Sequence, residues 1–449
     1  MKKAVIAVFD VGKTNKKLFL FDENYRIVFE RVARFVETKD EDGVPCENLE
    51  SLRQSVFDSL QEVFRKDEFD IRAINFSTYG ASLVYVGEDG RALAPLYNYL
   101  KPYPEALLED FYEKYGGRDQ LASETASPVL GSLNSAMQLY RLKQEQPEVF
   151  RKTRYALHLP QYLSSLVTGK FYSDITSIGC HTHLWDFRRN TYHRWVEEEG
   201  ILPKQAPLVA SDRVFPSLFL GNRVVVGPGL HDSSAALIPY LLNFHEPFVL
   251  ISTGTWCISF NPFNTTPLSC TELLNDCLCY MQYGGAPVKA SRVFAGYIHE
   301  AQAKRIASHF NTSGSRYRQL TFDSSFLTFL DQEQLQQPFP ERELSTFETD
   351  EEAYHSLVAY LVMIQRQSTE LVTLNSGVKR IFVDGGFSKN SIYMNFLSAA
   401  FPDMEVFGAS MPQATALGTA LAIHQAWNRK AMPTDLIELK YYAAPLGKS

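Results

Sequence analysis

No stretch of the 449 residues approaches the roughly 18 consecutive apolar residues that a membrane-crossing helix needs. The opening Met1-Lys2-Lys3 leads only to a short apolar run that Asp10 breaks, too short for the apolar region of a secretory signal. An excess of positive charge is missing too: 44 Lys and Arg stand against 51 Asp and Glu, a net charge of −7, which argues against a nucleic-acid partner. Cysteine is sparse. The six are Cys46, Cys180, Cys257, Cys270, Cys277 and Cys279, with no CxxC pair, and no second pair or His-x3-His follows Cys277-Leu278-Cys279. His181-Thr182-His183 lacks a third spaced ligand, and HExxH does not occur. These absences predict a cytoplasmic protein with reduced thiols, no zinc motif, no membrane and no nucleic acid.

Hydrophobic residues make up 45% and charged ones 21%, ordinary for a globular chain, and the length predicts about two to three domains. Two segments stand out. Ala4 to Phe9, then Asp10-Val11-Gly12-Lys13-Thr14-Asn15-Lys16-Lys17, runs straight into Leu18-Phe19-Leu20-Phe21. Past the middle, Phe248 to Ile251, then Ser252-Thr253-Gly254-Thr255-Trp256, runs into Cys257-Ile258-Ser259-Phe260. Each reads as strand, Gly/Thr turn, strand. Facing each other across two domains, such turns would hold a nucleotide's phosphates, which points to an enzyme that uses ATP.

The flanking patterns repeat in the two halves. Residues 4–9, 17–22 and 26–36 predict a three-strand meander. Leu49, Leu52, Val56, Phe57, Leu60, Val63 and Phe64 recur at helical spacing over 48–66. A strand at Ala73–Phe76 ends in Ser77-Thr78-Tyr79-Gly80; 131–169 reads as mainly helical up to Gly169, and 171–195 has β character. In the second half a helix over about 350–375 precedes the strand Arg380–Asp384, the helix Ile392–Ala400, the strand Glu405–Phe407 and the helix Ala414–Trp427. This is a duplicated α/β plan, with Pro239–Pro247 as the crossing between halves and 311–350 as a loop-rich stretch.

Three constellations carry chemistry. Ala7-x4-Gly12-Lys13-Thr14 nearly matches the phosphate loop GxxxxGK[ST], but that loop must open a helix, and Leu18–Phe21 reads as strand. A hairpin turn is the better reading. Its amides and the side chains of Thr14, Asn15, Lys16 and Lys17 would touch phosphates, and Asp10 beside them suits a Mg²⁺ water shell. In Gly227-Pro228-Gly229-Leu230-His231-Asp232-Ser233, Asp232 opens a small-residue helix, either as a cap or as a general base. Asp384-Gly385-Gly386-Phe387-Ser388-Lys389-Asn390 is a Gly-Gly turn that admits a flat base or ribose close to the backbone, or simply packs tightly.

Together these segments resemble the FGGY family of carbohydrate kinases, from Asp10 to about Trp427. Leu166-Val167-Thr168-Gly169-Lys170 is similar to the family's Leu-Thr-Gly segment, and Thr78-Tyr79-Gly80, Ser252-Thr253-Gly254-Thr255-Trp256 and His231-Asp232-Ser233 resemble its rhamnulokinase and fuculokinase branch. The resemblance implies an α/β chain of two ribonuclease-H-like (actin-like ATPase) domains, 1–243 for sugar and 244–449 for nucleotide, with ATP and sugar in the central cleft. It makes Asp232 the catalytic base and Asp10 the Mg²⁺-placing carboxylate. Lys13 to Lys17 and Gly254-Thr255 become the phosphate turns, Gly385, Gly386 and Asn390 the adenosine side. Tyr79, Gly80, His231, Ser233 and Gln161 fall at sugar positions. Three departures touch that side: Asn98-Tyr99-Leu100-Lys101 where relatives carry Trp-x-Asp-x-Arg, Gln161 for an aspartate, and Gly296 near an asparagine. The expectation is an ATP- and Mg²⁺-dependent kinase, monomer or homodimer, acting on a primary hydroxyl of a small ketose, first an L-rhamnulose- or L-fuculose-like sugar. Xylulose, ribulose, erythrulose or glycerol kinase activity, or a silent sugar-binding regulator, are the rivals.

Overall fold

Alternation within each central strand decides how the layers stack. The computed structural model describes residues 2–13, 16–33, 36–330, 337–411 and 413–444. In β1 (Lys3–Val11), Ile6 and Val8 face one core while Val5, Ala7 and Phe9 face another. In β8 (Phe248–Thr253), Phe248 and Leu250 join the core that holds Ile6 and Val8, and Val249 and Ile251 point to a third. Both strands are apolar on both faces because helices cover both faces of each sheet. The shared core lies between the two sheets.

The first sheet is built from β1, β2 (Lys16–Asp22), β3 (Ile27–Ala33), β4 (Phe69–Thr78), β5 (Phe215–Phe219), β6 (Asn222–Val226) and the short β7 (Leu230–His231). Its order is β3-β2-β1-β4-β6-β5, with β7 also on β4. The second sheet adds to β8 the strands β9 (Cys257–Asn261), β10 (Cys277–Met281), β11 (Pro287–Val293), β12 (Arg380–Gly385), β13 (Glu405–Ser410) and β14 (Glu438–Tyr442), ordered β10-β11-β9-β8-β12-β13-β14. From β3 and from β11 onward the pairings agree step for step: antiparallel, antiparallel, parallel, parallel, antiparallel. The duplication expected from the sequence is present, with β10 as an extra edge strand.

Helices α1 (Leu49–Phe64) and α2 (Leu159–Thr168) cover the outer face of the first sheet; α4 (Ala295–His309), α5 (Asp350–Thr373) and α6 (Ser391–Ala400) cover that of the second. Asn48 caps α1 by accepting the Ser51 amide. Between the sheets run α3 (Asp232–Asn243) and α7 (Ala414–Ala422), each reaching across. Tyr240 of α3 meets Phe382 of the second sheet at 5.8 Å, and the Thr419 carbonyl of α7 accepts from Asn75 Nδ2 of the first at 2.9 Å.

Several expectations are corrected. The crossing between halves does not begin at Pro239, because α3 continues through it to Asn243. Proline has no amide, so the Ala235 carbonyl lacks its helical donor, and Gly418 packs against that oxygen instead. A Cβ at Gly418 would lie 1.8 Å from it. The strand Tyr155–His158 interrupts the predicted helical stretch 131–169 by pairing with Leu83–Val86. The segment 171–195 holds only two-residue strands, because His181, His183 and Asn190 take left-handed backbone (φ 38°, 65° and 54°). The last predicted helix breaks at Ile423. The described part of 311–349 holds short 3-10 turns; 331–336 lie outside the described residues. Among the described residues no helix is long and apolar enough to cross a membrane.

Candidate active site

Strand register brings three polar groups together at the tip of the first hairpin. Asp10 faces Lys17 across β2 and Ser77 across β4, and Ser77 Oγ donates to Asp10 Oδ1 over 3.1 Å. Burial, with the charge of Asp232 second, pushes the Asp10 carboxyl up to about 7. Asp232 is the first residue of α3, and its Oδ1 accepts from the Ser233 amide at 2.6 Å and from Ser233 Oγ at 3.3 Å. Its side chain keeps 31% exposure, yet the surrounding protein withdraws enough water to push it up to about 6. Two carboxylates of raised pKa that sense each other are suited to proton acceptance near neutrality and to hard-cation binding. Lys17 tempers Asp10 from a distance while its Nζ pairs with Glu30 at 2.6 Å.

Next to Asp232, the His231 ring is buried and neutral, its pKa lowered by burial to about 3. It packs so closely on Gly80 that a Cβ there would lie 2.7 Å from the ring. Tyr79 donates its hydroxyl to Glu47 Oε1 at 3.0 Å. Glu47 also holds Lys13 and Lys16, at 3.6 and 3.2 Å, and the Lys13 ammonium lies over the Tyr79 and Tyr99 rings. Two lysines expected at the phosphates are therefore gathered beside Tyr79 by a buried carboxylate. Tyr99 is pushed up by burial, then by Asp232 and Glu47, so its phenol lies in the field of both. Gln161 is buried and donates Nε2 to the Gly229 carbonyl at 2.8 Å; it braces the turn before His231. Lys101 is held by Asp40 and Asp42, each at 2.7 Å, while Leu100 is exposed. Thr14 and Asn15 lie outside the described residues.

The second hairpin opens into a cavity of about 550 Å³. Gly254, Thr255 and Gly386 line it with Asn390, His299 and Tyr317. Thr253 ties the two turns together: its carbonyl accepts the Gly386 amide at 3.1 Å, and its hydroxyl donates to the Asp384 carbonyl at 2.5 Å and accepts the Phe387 amide at 3.0 Å. Gly385 has φ +89°, and a Cβ there would sit 2.0 Å from the Thr253 carbonyl. At Gly296 a Cβ would stand 1.8 Å from the Gly254 carbonyl, so the departure from asparagine has a packing reason here. Asn390 caps α6, accepting the Ile392 and Tyr393 amides, and donates to Tyr354, which also bonds His299. Cavity size and a mixed polar and aromatic lining suit a nucleoside.

Sequence reasoning missed Glu47, His299 and Tyr317. Each comes from an element with no motif of its own, and only the docking of that element brings it here. Tyr99 was noticed only as part of a departure from the family pattern.

Comparison with known proteins agrees with this geometry. The N-terminal domain of the FGGY family of carbohydrate kinases matches residues 5–215 and the family's C-terminal domain matches 245–431. A rhamnulokinase of Halalkalibacterium halodurans is 22% identical over 278 residues, 59% of this chain and 58% of that protein, so the match spans somewhat over half the relative's length. A carbohydrate kinase from Novosphingobium aromaticivorans superposes with a TM-score of 0.81 at 23% identity, covering 99% of this chain and 95% of that one. A ligand-bound xylulose kinase from Lactobacillus acidophilus gives 0.79 at 16% identity, covering 98% and 94%. Two sheets whose strand pairings agree step for step, Asp10 and Asp232 close enough to interact, and both family domains matched in sequence order lead to one conclusion: the chain belongs to the FGGY family of carbohydrate kinases.

Proposed function

We propose that this protein is an ATP- and Mg²⁺-dependent carbohydrate kinase that moves the γ-phosphoryl group of ATP to a primary hydroxyl of a small ketose. A 6-deoxy-ketohexose of the L-rhamnulose or L-fuculose kind is the first substrate to test. Residues 1–243 would form the sugar-binding domain and 244–449 the nucleotide-binding domain, in a cytoplasmic monomer or homodimer. The observation that carries the reading is Asp232, its side chain partly exposed, with its pKa raised to about 6 and Asp10 close enough to feel its charge.

In this reading Asp232 takes the proton of the sugar hydroxyl, His231, Gly80, Ser233 and Tyr79 border the sugar, and Gly254-Thr255 receives the phosphates. Phosphoryl transfer is mostly positioning and charge neutralisation, so one in-line base and a preformed phosphate turn are the parts the chain must supply. Asp10, Asp232 and Ser77 offer hard oxygen donors that fit Mg²⁺, which would offset charge on the phosphates. Gly385, Gly386 and Asn390 would flank the adenosine. With Lys101 held by Asp40 and Asp42, the sugar side differs from that of relatives, which favours retained transfer with an altered sugar preference.

The test is ADP release with Mg-ATP across a panel of ketoses and polyols, with Asp232→Asn as control. Turnover on a 6-deoxy-ketohexose, lost in the variant, supports mechanism and branch. Turnover on xylulose, ribulose, erythrulose or glycerol keeps the mechanism and replaces the sugar. A folded protein silent across the panel overturns the reading in favour of a sugar-binding regulator.

A further inference from the structure

His181-Thr182-His183 has no third ligand in its own stretch of chain, but folding supplies one to His181. His183 turns away, its ring nitrogens bonded to Tyr112 and Thr125. His181 instead joins Cys180 and His231, and one ligand atom from each of the three lies within 4.8 Å of the other two. All three are buried. His231 Nε2 is 3.4 Å from Cys180 Sγ, close to the roughly 3.6 Å separation that ~2.0–2.3 Å bonds to a tetrahedral metal impose. His181 Nδ1 faces the Leu133 carbonyl at 3.2 Å, the outer partner a metal-bound imidazole uses to fix its tautomer, which leaves Nε2 with its lone pair. His231 Nε2 is also 3.3 Å from Asp232 Oδ1. Arg292, whose charge reaches Cys180 and His181, is paired with Asp276 at 2.5 Å. His181 holds its place with a left-handed φ of 38°, a conformation that costs a non-glycine residue energy and that neighbouring structure must impose.

From this juxtaposition we infer that Cys180, His181 and His231 form a site for a borderline-soft divalent metal such as Zn²⁺, with the fourth tetrahedral position left to water. Nitrogen and sulfur donors separate it from the oxygen donors that suit Mg²⁺. On binding, the Cys180 S–H bond breaks, a sulfur–metal bond forms, the proton leaves to solvent, and both imidazoles stay neutral. One consequence rests on the proposed kinase reading: His231 borders the sugar there, so a metal held by His231 and the sugar compete.

The test is titration of the full chain with Co²⁺ alone, without nucleotide or sugar, followed by displacement with Zn²⁺. One equivalent per chain, with thiolate-to-cobalt absorption and tetrahedral visible bands, is the expected result. Cys180→Ser should abolish the thiolate absorption, and Cys180→Ser and His181→Gln should each weaken binding at least as much as the roughly 10–100-fold that losing an outer partner costs. Cys270→Ser, at the exposed cysteine, should change nothing. Absence of the thiolate band, or binding unaltered in the folded His181→Gln variant, overturns the inference. Neither outcome bears on ADP release, so the two proposals fail separately.

Discussion

Register makes the two hairpin tips directly comparable. In the first, Asp10 stands between Lys17 and Ser77; in the second, the matching position is Ser252, between Ile258 and Asp384. One step on, Val11 stands between Lys16 and Thr78, while Thr253 stands between Cys257 and Gly385. The first tip concentrates side-chain charge: Asp10, Lys16, Lys17, and nearby Glu47 and Asp232. The second concentrates backbone, held by Thr253 and by glycines that leave no room for a Cβ. One scaffold is thus finished twice, once with titratable side chains and once with backbone that no Cβ crowds. Substitutions should separate the halves: charge changes should act on the first, added volume on the second.

The largest effect is expected from Asp232→Asn. Turnover in the ADP-release assay should fall by roughly 10²–10⁴-fold, the usual worth of a positioned base. The same change should stabilise the fold. An acid whose native pKa is raised, here from 3.8 to about 6, costs nothing below the lower value and its full penalty above the higher. Allowing for partial exposure, the variant should gain about 1–2 kcal/mol at pH 8 and only a few tenths of a kcal/mol, roughly, at pH 4. Thermal denaturation at the two pH values measures this; a lower Tm at pH 8 would mean that Asp232 serves as a structural cap rather than a base held at a cost.

Gly385→Ala adds one methyl group and no charge. It forces a left-handed residue against the Thr253 carbonyl, so about 1–3 kcal/mol should be lost and nucleotide affinity should drop at least about tenfold. Calorimetry should find sugar affinity unchanged. Glu47→Gln is the reverse case, a charge change at constant volume. Releasing Lys13, Lys16 and Tyr79 should cost about 1–2 kcal/mol, less than a fully buried pair because Lys13 can return to water. The sugar KM should rise several-fold with nucleotide affinity intact. If the two variants affected the same ligand, the division of labour between tips would be wrong.

How much of this was legible in the sequence follows from where each signal is stored. Asp10, Asp232 and Gly385 stand out as candidates because each lies at the end of a strand or the start of a helix with a strong pattern, and α1 and α5 follow from apolar spacing alone. Glu47 does not. It ends a three-residue strand, Pro45–Glu47, and only the docking of that strand brings its carboxylate to Tyr79 and Lys13. Cys180 and His231 meet across 51 positions for the same reason. Pro239 reads as the start of the crossing between halves, yet the helix runs through it, and Gly418 packs on the carbonyl that the proline leaves without a donor. Lys13 and Lys16 are read from a phosphate-turn pattern, and such a pattern does not say which carboxylate of the fold packs beside them.

The smallest expected effect sharpens the comparison furthest, because it concerns charge at the first tip without touching its geometry. Lys17 lowers the pKa of Asp10, opposing burial and Asp232, while Glu30, 2.6 Å away, offsets the lysine's charge. Glu30→Gln leaves Lys17 uncompensated, so its field at Asp10 strengthens and the carboxyl should ionise more readily. The acid limb of kcat/KM, set by groups near 6 and 7, should move down by a few tenths of a pH unit, to about half a unit at most. Stability should stay within about 0.5 kcal/mol, since Glu30 and Lys17 form a partly exposed pair. Both carboxylate and lysine meet solvent, so the shift should shrink as salt shortens the screening length from about 10 Å at 0.1 M to about 3 Å at 1 M. An equivalent charge change beside the second tip, Lys389→Gln, should leave the acid limb in place, because the carboxyl that Lys389 holds down is Asp384 at the second tip and not Asp10 or Asp232. A limb that moved equally in both variants would mean that long-range charge, not the register of Asp10 with Lys17 and Ser77, sets the ionisation of the site.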